Sequence, residues 1–385
     1  MTIKLASSAE IHTRLRGIDA CRGLAALLVV LYHAEITVSK QKYFAADPFH
    51  GGFHFGMRGV DFFFVLSGFI ITYAHWSDFG RPGRIGSYAF KRFIRIFPIL
   101  WVVAIPFIAI SFLIDSEYAP RFMYERIEVV FTSLFLVPSR LLPMPGVLWT
   151  LKHEIFFYTL FAFAIWKPKL GVVALVTWFI LCISHVSASG STGFLLDFCA
   201  SLYSIEFMLG VGCGIALRSF RVPLPAMMIA AGGLLFGLAG ASFEAVKSAQ
   251  PWIANGTTLS QVAQFGLASV LIVLGVGQMD VDRKTVVPSA IGLLGSASYS
   301  IYLIHYPTIS VCCKILKRLT PAMPLTPIVA SVIVVLISVT TGIMLHKWVE
   351  VPLMKAFRPK KHRLDNENLA DRTRENVARN GFDEG

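Results

Sequence analysis

The chain has 385 residues, of which 55% are hydrophobic and only 15% charged, and its mean hydropathy is +0.64. Soluble domains carry about 25% charged residues, and here the apolar residues form long runs, so the composition excludes a soluble globular protein. In a soluble domain the net charge of +12 would indicate nucleic acid binding. Because the basic residues lie mostly in short loops, the positive-inside rule accounts for this charge, and no nucleic acid partner is predicted.

The two ends of the chain are polar. Met1–Thr13 has one lysine and no signal-peptide pattern, which predicts a short cytoplasmic leader. Residues 359–385 carry mixed charge without an apolar pattern, which predicts a disordered cytoplasmic tail, so the membrane domain is expected within residues 1–358. The six cysteines lie in or beside apolar runs and include no CxxC pair, so neither disulfides nor a zinc site is predicted.

Apolar segments long enough to cross a bilayer recur ten times, which predicts an all-α polytopic membrane protein with ten transmembrane helices. The predicted spans are Gly17–Ile36, Gly59–Trp76, Ile96–Ile114, Leu148–Trp166, Leu170–His185, Phe194–Leu217, Leu224–Phe243, Gln261–Gly277, Ala290–Leu316 and Pro327–Val349. A further apolar run, Ile127–Pro138, is too short to span and predicts an interfacial or re-entrant segment. Lys and Arg concentrate in the leader, the even-numbered loops and the tail, which places both termini in the cytoplasm.

The first span carries a polar stripe. Arg22 and His33 are eleven residues apart, so in a helix they share a face about 16 Å apart, with Asp19 on the same side. Ionisable groups are costly in lipid, so this face is expected to meet protein or water and to serve chemistry or transport. In the alternative interpretation, Arg22 snorkels and His33 caps the interface.

The next two spans begin with charged residues. Asp61 lies in the first turn of the second span, where it is either a functional acid or a group stabilised by the helix dipole. Arg92 and Arg95 are three residues apart before the third span, with aromatic residues between them. Such a pair suits a phosphate-rich ligand, and the alternative is a topogenic role at lipid headgroups.

The fourth span contains Lys152, His153 and Glu154. Glu154 is expected about 9 Å below the outer boundary, a depth at which it could meet His33 and form the carboxylate–imidazole pair of a general base. Alternatively, Glu154 pairs only with Lys152 or His153. Since Phe157 occupies the position of the second histidine of HExxH, a metallopeptidase is excluded and no metal site is predicted.

Later spans add further polar candidates. Glu206 lies in the middle of the sixth span and is either catalytic or structural. The ninth span is rich in small and hydroxylated residues, and Tyr299, Tyr302 and His305 are expected to line a polar cavity there.

Taken together, these motifs resemble acyltransferase family 3, a family of ten-span membrane O-acyltransferases, and within it exopolysaccharide acetyltransferases of the ExoZ type. The resemblance covers roughly residues 14–355. Its elements are Arg22-x10-His33, Gly59-Val-Asp…Ser-Gly-Phe69, Arg92-x-x-Arg95, Trp149-Thr-Leu…Glu154…Phe-Tyr158, Ser298-Tyr-Ser-Ile-Tyr-Leu-Ile-His305 and Glu350-Val-Pro352. Lys152-His153 departs from the small, apolar or acidic residues expected at those positions.

The resemblance implies transfer of an acyl group, usually acetyl from acetyl-CoA, to a sugar hydroxyl of a polysaccharide, lipopolysaccharide or glycolipid. Besides the acyl-CoA and the carbohydrate, membrane lipid is an expected partner, and no permanently bound cofactor is expected. The enzyme would lie in the bacterial cytoplasmic (inner) membrane. The rival classes are a transporter or flippase of a glycan or lipid-linked substrate, which usually shows two related halves that are absent from this sequence, and a membrane scaffold.

Specific roles follow from the same resemblance. The donor's CoA end would bind Arg92 and Arg95, with Arg22 as a third candidate. His33, oriented by Glu154, would deprotonate the sugar hydroxyl for direct attack, with Asp61 as the next candidate partner; a covalent acyl-enzyme on a tyrosine or on His33 is the alternative. The expected substrate contacts are Tyr299, Tyr302, His305 and Trp149.

Overall fold

The computed structural model describes residues 15–114, 119–187, 193–249, 258–320 and 325–357, and all regular secondary structure in these ranges is helical. The α-helices are α1 Arg16–Val38, α2 Gly59–Ala74, α3 Ile85–Leu113, α4 Met123–Leu134, α5 Trp149–Trp166, α6 Pro168–Ser187, α7 Phe194–Cys199, α8 Tyr203–Ser219, α9 Pro225–Ala249, α10 Leu259–Val281, α11 Ser289–Leu319, α12 Pro327–Leu345 and α13 Val351–Ala356. A π-helical turn, His346–Glu350, joins α12 to α13. The predicted leader and tail lie outside the described residues.

Eight helical segments within the described ranges are long and apolar enough to cross a membrane. They confirm the all-helical membrane fold, whereas the count of ten stays a prediction. The two predicted spans outside this set are α5, whose second turn carries three ionisable side chains, and α11, which begins with small and hydroxylated residues and ends with several basic ones.

Three predicted segments are described more closely by the structure. The helix α3 begins at Ile85, before the predicted third span, so Arg92 and Arg95 lie within a helix. The predicted sixth span is two helices, because α7 ends at Cys199 and α8 begins at Tyr203. The segment predicted as interfacial or re-entrant forms α4, a helix of 12 residues that is too short to span.

Two pairs of glycines bring the central helices into backbone contact. A Cβ at Gly210 of α8 would lie 1.9 Å from the Val65 carbonyl oxygen of α2, and one at Gly68 would lie 2.0 Å from the Phe207 carbonyl oxygen. Between α1 and α11, a Cβ at Gly295 would lie 2.3 Å from the Asp19 carbonyl oxygen, and one at Gly23 would lie 2.6 Å from the Gly295 nitrogen. Only glycine permits such approaches, which fix α1 and α2 against their partner helices.

The start of α1 is capped from another helix. The buried carboxylate of Asp280, in the last turn of α10, accepts hydrogen bonds from the backbone N–H groups of Gly17 (2.9 Å) and Ile18 (3.0 Å). A carboxylate at this position satisfies N–H groups that have no partner inside the helix and complements the positive end of the helix dipole. The cap thereby positions the helix that carries Arg22 and His33.

Candidate active site

A cavity of about 1190 Å³ lies between α1, α2, α3, α5, α11 and the segment that follows α12. Its charged and polar lining residues are Asp19, Arg22, Ser67, Arg84, Ser87, Lys91, Arg92, Arg95, Thr150, Glu154, Tyr158, Ser296, Ser298, Tyr299, Tyr302, His346 and Lys355. Among them, Arg84, Lys91 and Lys355 are exposed and are called here the basic mouth. The cavity therefore joins a positively charged opening to polar side chains in the interior.

Glu154 lies in the cavity wall and has two hydrogen-bond donors. The Ser67 hydroxyl of α2 donates to it at 3.1 Å, and the Tyr158 hydroxyl, one helical turn further along α5, donates to the same carboxylate oxygen. The predicted alternative, in which Glu154 pairs only with Lys152 or His153, is not what the structure has. His153 instead stacks on Phe198, with ring centroids 4.1 Å apart.

Arg92 is oriented by a chain of hydrogen bonds that begins at an acid. His75 donates from Nδ1 to Asp78 at 2.8 Å, so its Nε2 accepts a hydrogen bond from Arg92 at 3.0 Å. The guanidinium also lies over the Tyr158 ring, 5.4 Å from its centroid. The Arg92 Nε is buried and has no hydrogen-bond partner in the described part of the chain. Since Arg92 lines the cavity, the rest of its guanidinium group can meet a ligand there.

His75 follows the last residue of α2, outside the candidate membrane span. Burial lowers the pKa of this imidazole below its ordinary range. The hydrogen bond to Asp78 raises the pKa and the positive charge of Arg92 lowers it further. A neutral His75 is required for the bond to Arg92, because a protonated imidazole has no lone pair to accept it.

Arg95 has a carboxylate partner, unlike Arg92. Its guanidinium donates to Glu350 at 2.5 Å and lies 5.4 Å from the centroid of the Tyr299 ring. Glu350 is 1% exposed and also accepts hydrogen bonds from Ser300 (2.7 Å) and His346 (2.8 Å). Arg95 thus ties the start of α3 to the π-helical turn after α12.

Arg22 and His33 lie on the same helix but not in the same cavity. Arg22 lines the cavity, with Asp19 at 3.7 Å, whereas His33 is absent from its lining. The Nδ1 of His33 lies 3.0 Å from the Val29 carbonyl oxygen and 3.2 Å from the Nε2 of His305. The predicted contact between His33 and Glu154 is therefore wrong, because these two described side chains have different partners.

Asp61 lies in a separate buried cluster. Its carboxylate forms an ion pair with Arg58 at 3.4 Å, and both side chains are almost fully buried. The Arg58 guanidinium lies 4.8 Å from the Phe243 ring centroid, and the buried Glu206 interacts with Asp61. Neither Asp61 nor Glu206 lines the cavity, so the geometry gives neither acid contact with its contents.

The four predicted substrate contacts fall into two groups. Tyr299 and Tyr302 line the cavity; Tyr299 donates to the Ile96 carbonyl oxygen at 2.9 Å, and the hydroxyls of Tyr302 and Thr150 are 2.8 Å apart. His305 lies behind this wall against His33, and Trp149 packs on Tyr203 with ring centroids 5.0 Å apart.

Within the described residues, one group of possible metal ligands lies outside the cavity. Glu35, Asp47 and His54 bring ligand-type atoms within 4.8 Å of one another. The two oxygens of the buried Glu35 accept the backbone N–H groups of Gly51 (3.1 Å) and Phe53 (2.9 Å). Glu35 therefore fastens the loop after α1 to the end of that helix.

Five residues that hold the site together were given no role from the sequence, although three of them lie in the quoted motifs: Ser67, Tyr158 and Glu350, with His75 and His346 outside them. A local signal existed for two of these positions, because His346 and Glu350 are four residues apart and share a helical face. The bond between His75 and Arg92 had no such signal, since it depends on how α2 ends beside α3.

A family model of the acyltransferase domain matches residues 15–347. The chain is 30% identical over 323 residues to the exopolysaccharide production protein ExoZ of Rhizobium meliloti (strain 1021), a match that covers 80% of this chain and 94% of that protein.

Two longer proteins are also similar. The chain is 24% identical, over an alignment of 392 residues, to the O-acetyltransferase OatA of Staphylococcus aureus (strain NCTC 8325 / PS 47), covering 90% of this chain and 59% of that protein. It is 24% identical over 329 residues to the putative peptidoglycan O-acetyltransferase YrhL of Bacillus subtilis (strain 168), a match that covers 77% of this chain and 49% of that protein. No solved structure matches the chain.

Proposed function

The chain belongs to the acyltransferase family, and from this premise we propose that it transfers an acyl group, acetyl in the first place, from acyl-CoA to a sugar hydroxyl of a cell-surface polysaccharide, lipopolysaccharide or glycolipid. The family match confirms the resemblance predicted from the motifs. The names of the relatives, an exopolysaccharide production protein and O-acetyltransferases, support an acetyl donor and a carbohydrate acceptor.

The observation that carries the proposal is the cavity with a basic mouth and a polar interior. Its volume of about 1190 Å³ exceeds the usual range for small-molecule sites, about 300–1,000 Å³, and suits a ligand as large as CoA. The CoA phosphates would lie at the basic mouth and against Arg92, which lines the cavity and has no ion pair among the described residues. The pantetheine arm would carry the thioester inward toward Glu154 and Tyr302.

The proposed orientation follows the distribution of basic residues. With the basic mouth at the cytoplasmic face of the bacterial inner membrane, both termini are cytoplasmic and the donor comes from the cytoplasm. Arg22 would contribute a further positive charge, since it lines the same cavity. No permanently bound cofactor or metal takes part in this proposal.

The proposed reaction is direct acyl transfer with His33 as the general base. His33 removes the proton of the sugar hydroxyl, and the oxygen attacks the thioester carbonyl carbon. The carbon–sulfur bond then breaks, and the CoA thiolate regains the proton from His33, which leaves an ester and free CoA. His33 lies outside the cavity lining, next to His305 behind Tyr302, so the thioester would lie at the Tyr302 end of the cavity and the acceptor hydroxyl would approach from the side of His33.

The test uses the full chain purified in detergent. Acetyl-CoA labelled in the acetyl group is supplied with surface glycan extracted from a deletion strain, and both the CoA released and the acetyl ester on the glycan are measured. Wild type should form ester and CoA in equal amounts, and His33→Ala should form neither while still binding acetyl-CoA. Ester formation by His33→Ala at the wild-type rate would show that His33 is not the general base. Movement of glycan across a vesicle membrane without ester would favour a transporter.

A further inference from the structure

The two imidazoles of His33 and His305 meet between α1 and α11. The Nδ1 of His33 lies 3.2 Å from the Nε2 of His305, and the ring centroids are 5.0 Å apart. Each Nδ1 also lies near a backbone carbonyl oxygen of its own helix, that of Val29 for His33 (3.0 Å) and that of Tyr302 for His305 (2.6 Å). His305 is fully buried, so these contacts account for both of its ring nitrogens.

The backbone carbonyls determine where the protons are. A carbonyl oxygen only accepts, so the Nδ1 of His305 must carry a hydrogen to bond with Tyr302. In the neutral ring the Nε2 of His305 is then an acceptor, and the Nδ1 of His33 must be the donor between the two rings. The same hydrogen on Nδ1 of His33 serves the Val29 carbonyl oxygen. The lone pair of neutral His33 is therefore on Nε2.

A base needs its lone pair on the nitrogen that faces the reacting hydroxyl. When His33 takes up a proton at Nε2, the ring becomes an imidazolium whose Nδ1–H already points at an acceptor, the Nε2 of His305. A carboxylate usually fills this position and keeps the imidazole in one tautomer and orientation. The carboxylate predicted for this position was that of Glu154, which instead accepts hydrogen bonds from Ser67 and Tyr158.

We infer that His305 is a positioning residue for the transferase reaction: by accepting the Nδ1–H of His33, it holds His33 in the tautomer that presents a basic Nε2. The inference rests on the proposed role of His33 as general base. His305 was predicted as a substrate contact and is here given a positioning role instead. Its neutral imidazole orients His33, as the carboxylate of Glu154 was predicted to do.

Two substitutions of His305 separate its two hydrogen bonds. In His305→Gln the amide oxygen reaches the position of the imidazole Nε2, so it still accepts the Nδ1–H of His33. In His305→Asn the shorter amide reaches only the position of the imidazole Nδ1, so it keeps the bond to the Tyr302 carbonyl and loses the one to His33. Both variants are uncharged and place a polar amide at the same buried position, so each is a control for the other.

Initial rates of acetyl transfer, with acetyl-CoA varied, test the inference in the purified full chain. We expect His305→Asn to lower kcat by roughly 10²-fold or more, within the range that general-base assistance supplies, with KM for acetyl-CoA nearly unchanged. His305→Gln should retain kcat within roughly tenfold of wild type. Thermal unfolding of both variants in the same detergent shows whether each is folded.

The outcomes distinguish this inference from the proposed function. Equal losses in folded Gln and Asn variants would overturn the role of His305 as an acceptor, and equal retention of activity would overturn it as well. If either variant is unfolded, His305→Ser with imidazole added to the assay replaces it, and an absence of rescue by imidazole counts against the inference. Activity of His33→Ala, by contrast, would overturn the proposed base itself.

Discussion

Arg92 and Arg95 are three residues apart on α3, yet the structure predicts opposite consequences when each is replaced by alanine. Arg92 has no ion pair among the described residues, and its buried Nε lacks a hydrogen-bond partner there. Arg95 donates to the buried carboxylate of Glu350 at 2.5 Å. We therefore expect Arg92→Ala to weaken acetyl-CoA binding and Arg95→Ala mainly to destabilise the fold.

The magnitudes follow from what each guanidinium contacts. A hydrogen bond to a charged group contributes about 1.5–3 kcal/mol, so losing one phosphate contact at Arg92 should raise the Kd of acetyl-CoA about 10- to 150-fold. Breaking a buried ion pair costs about 3–5 kcal/mol. The Arg95 side chain is 26% exposed and Glu350 keeps the bonds from Ser300 and His346, so we expect about 2–3 kcal/mol of destabilisation instead.

Two assays on detergent-purified protein separate these effects. Isothermal titration with acetyl-CoA at low salt gives the donor affinity, and thermal unfolding gives the relative stability. Glu350→Gln is the matched control, because it should lower stability as Arg95→Ala does while leaving Arg92 in place. If the two arginine variants lost the same donor affinity and the same stability, the distinction drawn from Glu350 would be refuted.

Three further predictions concern stability. The fold lowers the pKa of His75, so His75 stabilises the folded state above about pH 6.5 and this stabilisation is lost as the pH falls toward the lowered pKa. In His75→Gln the melting temperature should therefore decrease less over this pH range than in wild type. Gly210→Ala should prevent folding, since its Cβ would lie 1.9 Å from a carbonyl oxygen, whereas Gly212→Ala on the same helix, with nothing within 4 Å, should elute and melt like wild type. Asp280→Asn should cost about 1–2 kcal/mol in denaturant titrations, because the cap of α1 loses its charge and one acceptor.

The helices were the predictable part of this protein. Lipid permits only segments that satisfy their own backbone hydrogen bonds, so long apolar runs predict helices well. Boundaries were less predictable where a helix extends beyond the apolar run, as α3 does by starting at Ile85. The break between α7 and α8 lies between Asp197 and Tyr203, but the stretch Phe194–Ser219 as a whole is still apolar enough to count as one span, so average hydropathy does not reveal the break.

The cavity could be predicted in part, because residue type and periodicity identify polar groups in apolar helices. Arg22, Arg92, Arg95, Glu154, Tyr299 and Tyr302 all line it. Periodicity does not say which side chain of another helix each group meets. Glu350 is 255 residues from Arg95 in sequence, and the π-helical turn that presents it follows an apolar span in which no pattern announces such a turn.

The mistaken pairing of His33 with Glu154 has a geometric cause. Counting residues from the ends of two spans estimates depth in the membrane, but it leaves open the direction in which each side chain points around its helix axis. The close approach of α1 to α11 at Gly295 supplies that direction. It brings the later part of α11 alongside His33, so that the imidazole of His305 occupies the position in which Glu154 was expected. Arg22, on the same helix, faces the cavity with Glu154. A shared helical face therefore did not imply a shared cavity: α11 packs on α1 both at Asp19 and at His33, and the cavity reaches Arg22 but not His33.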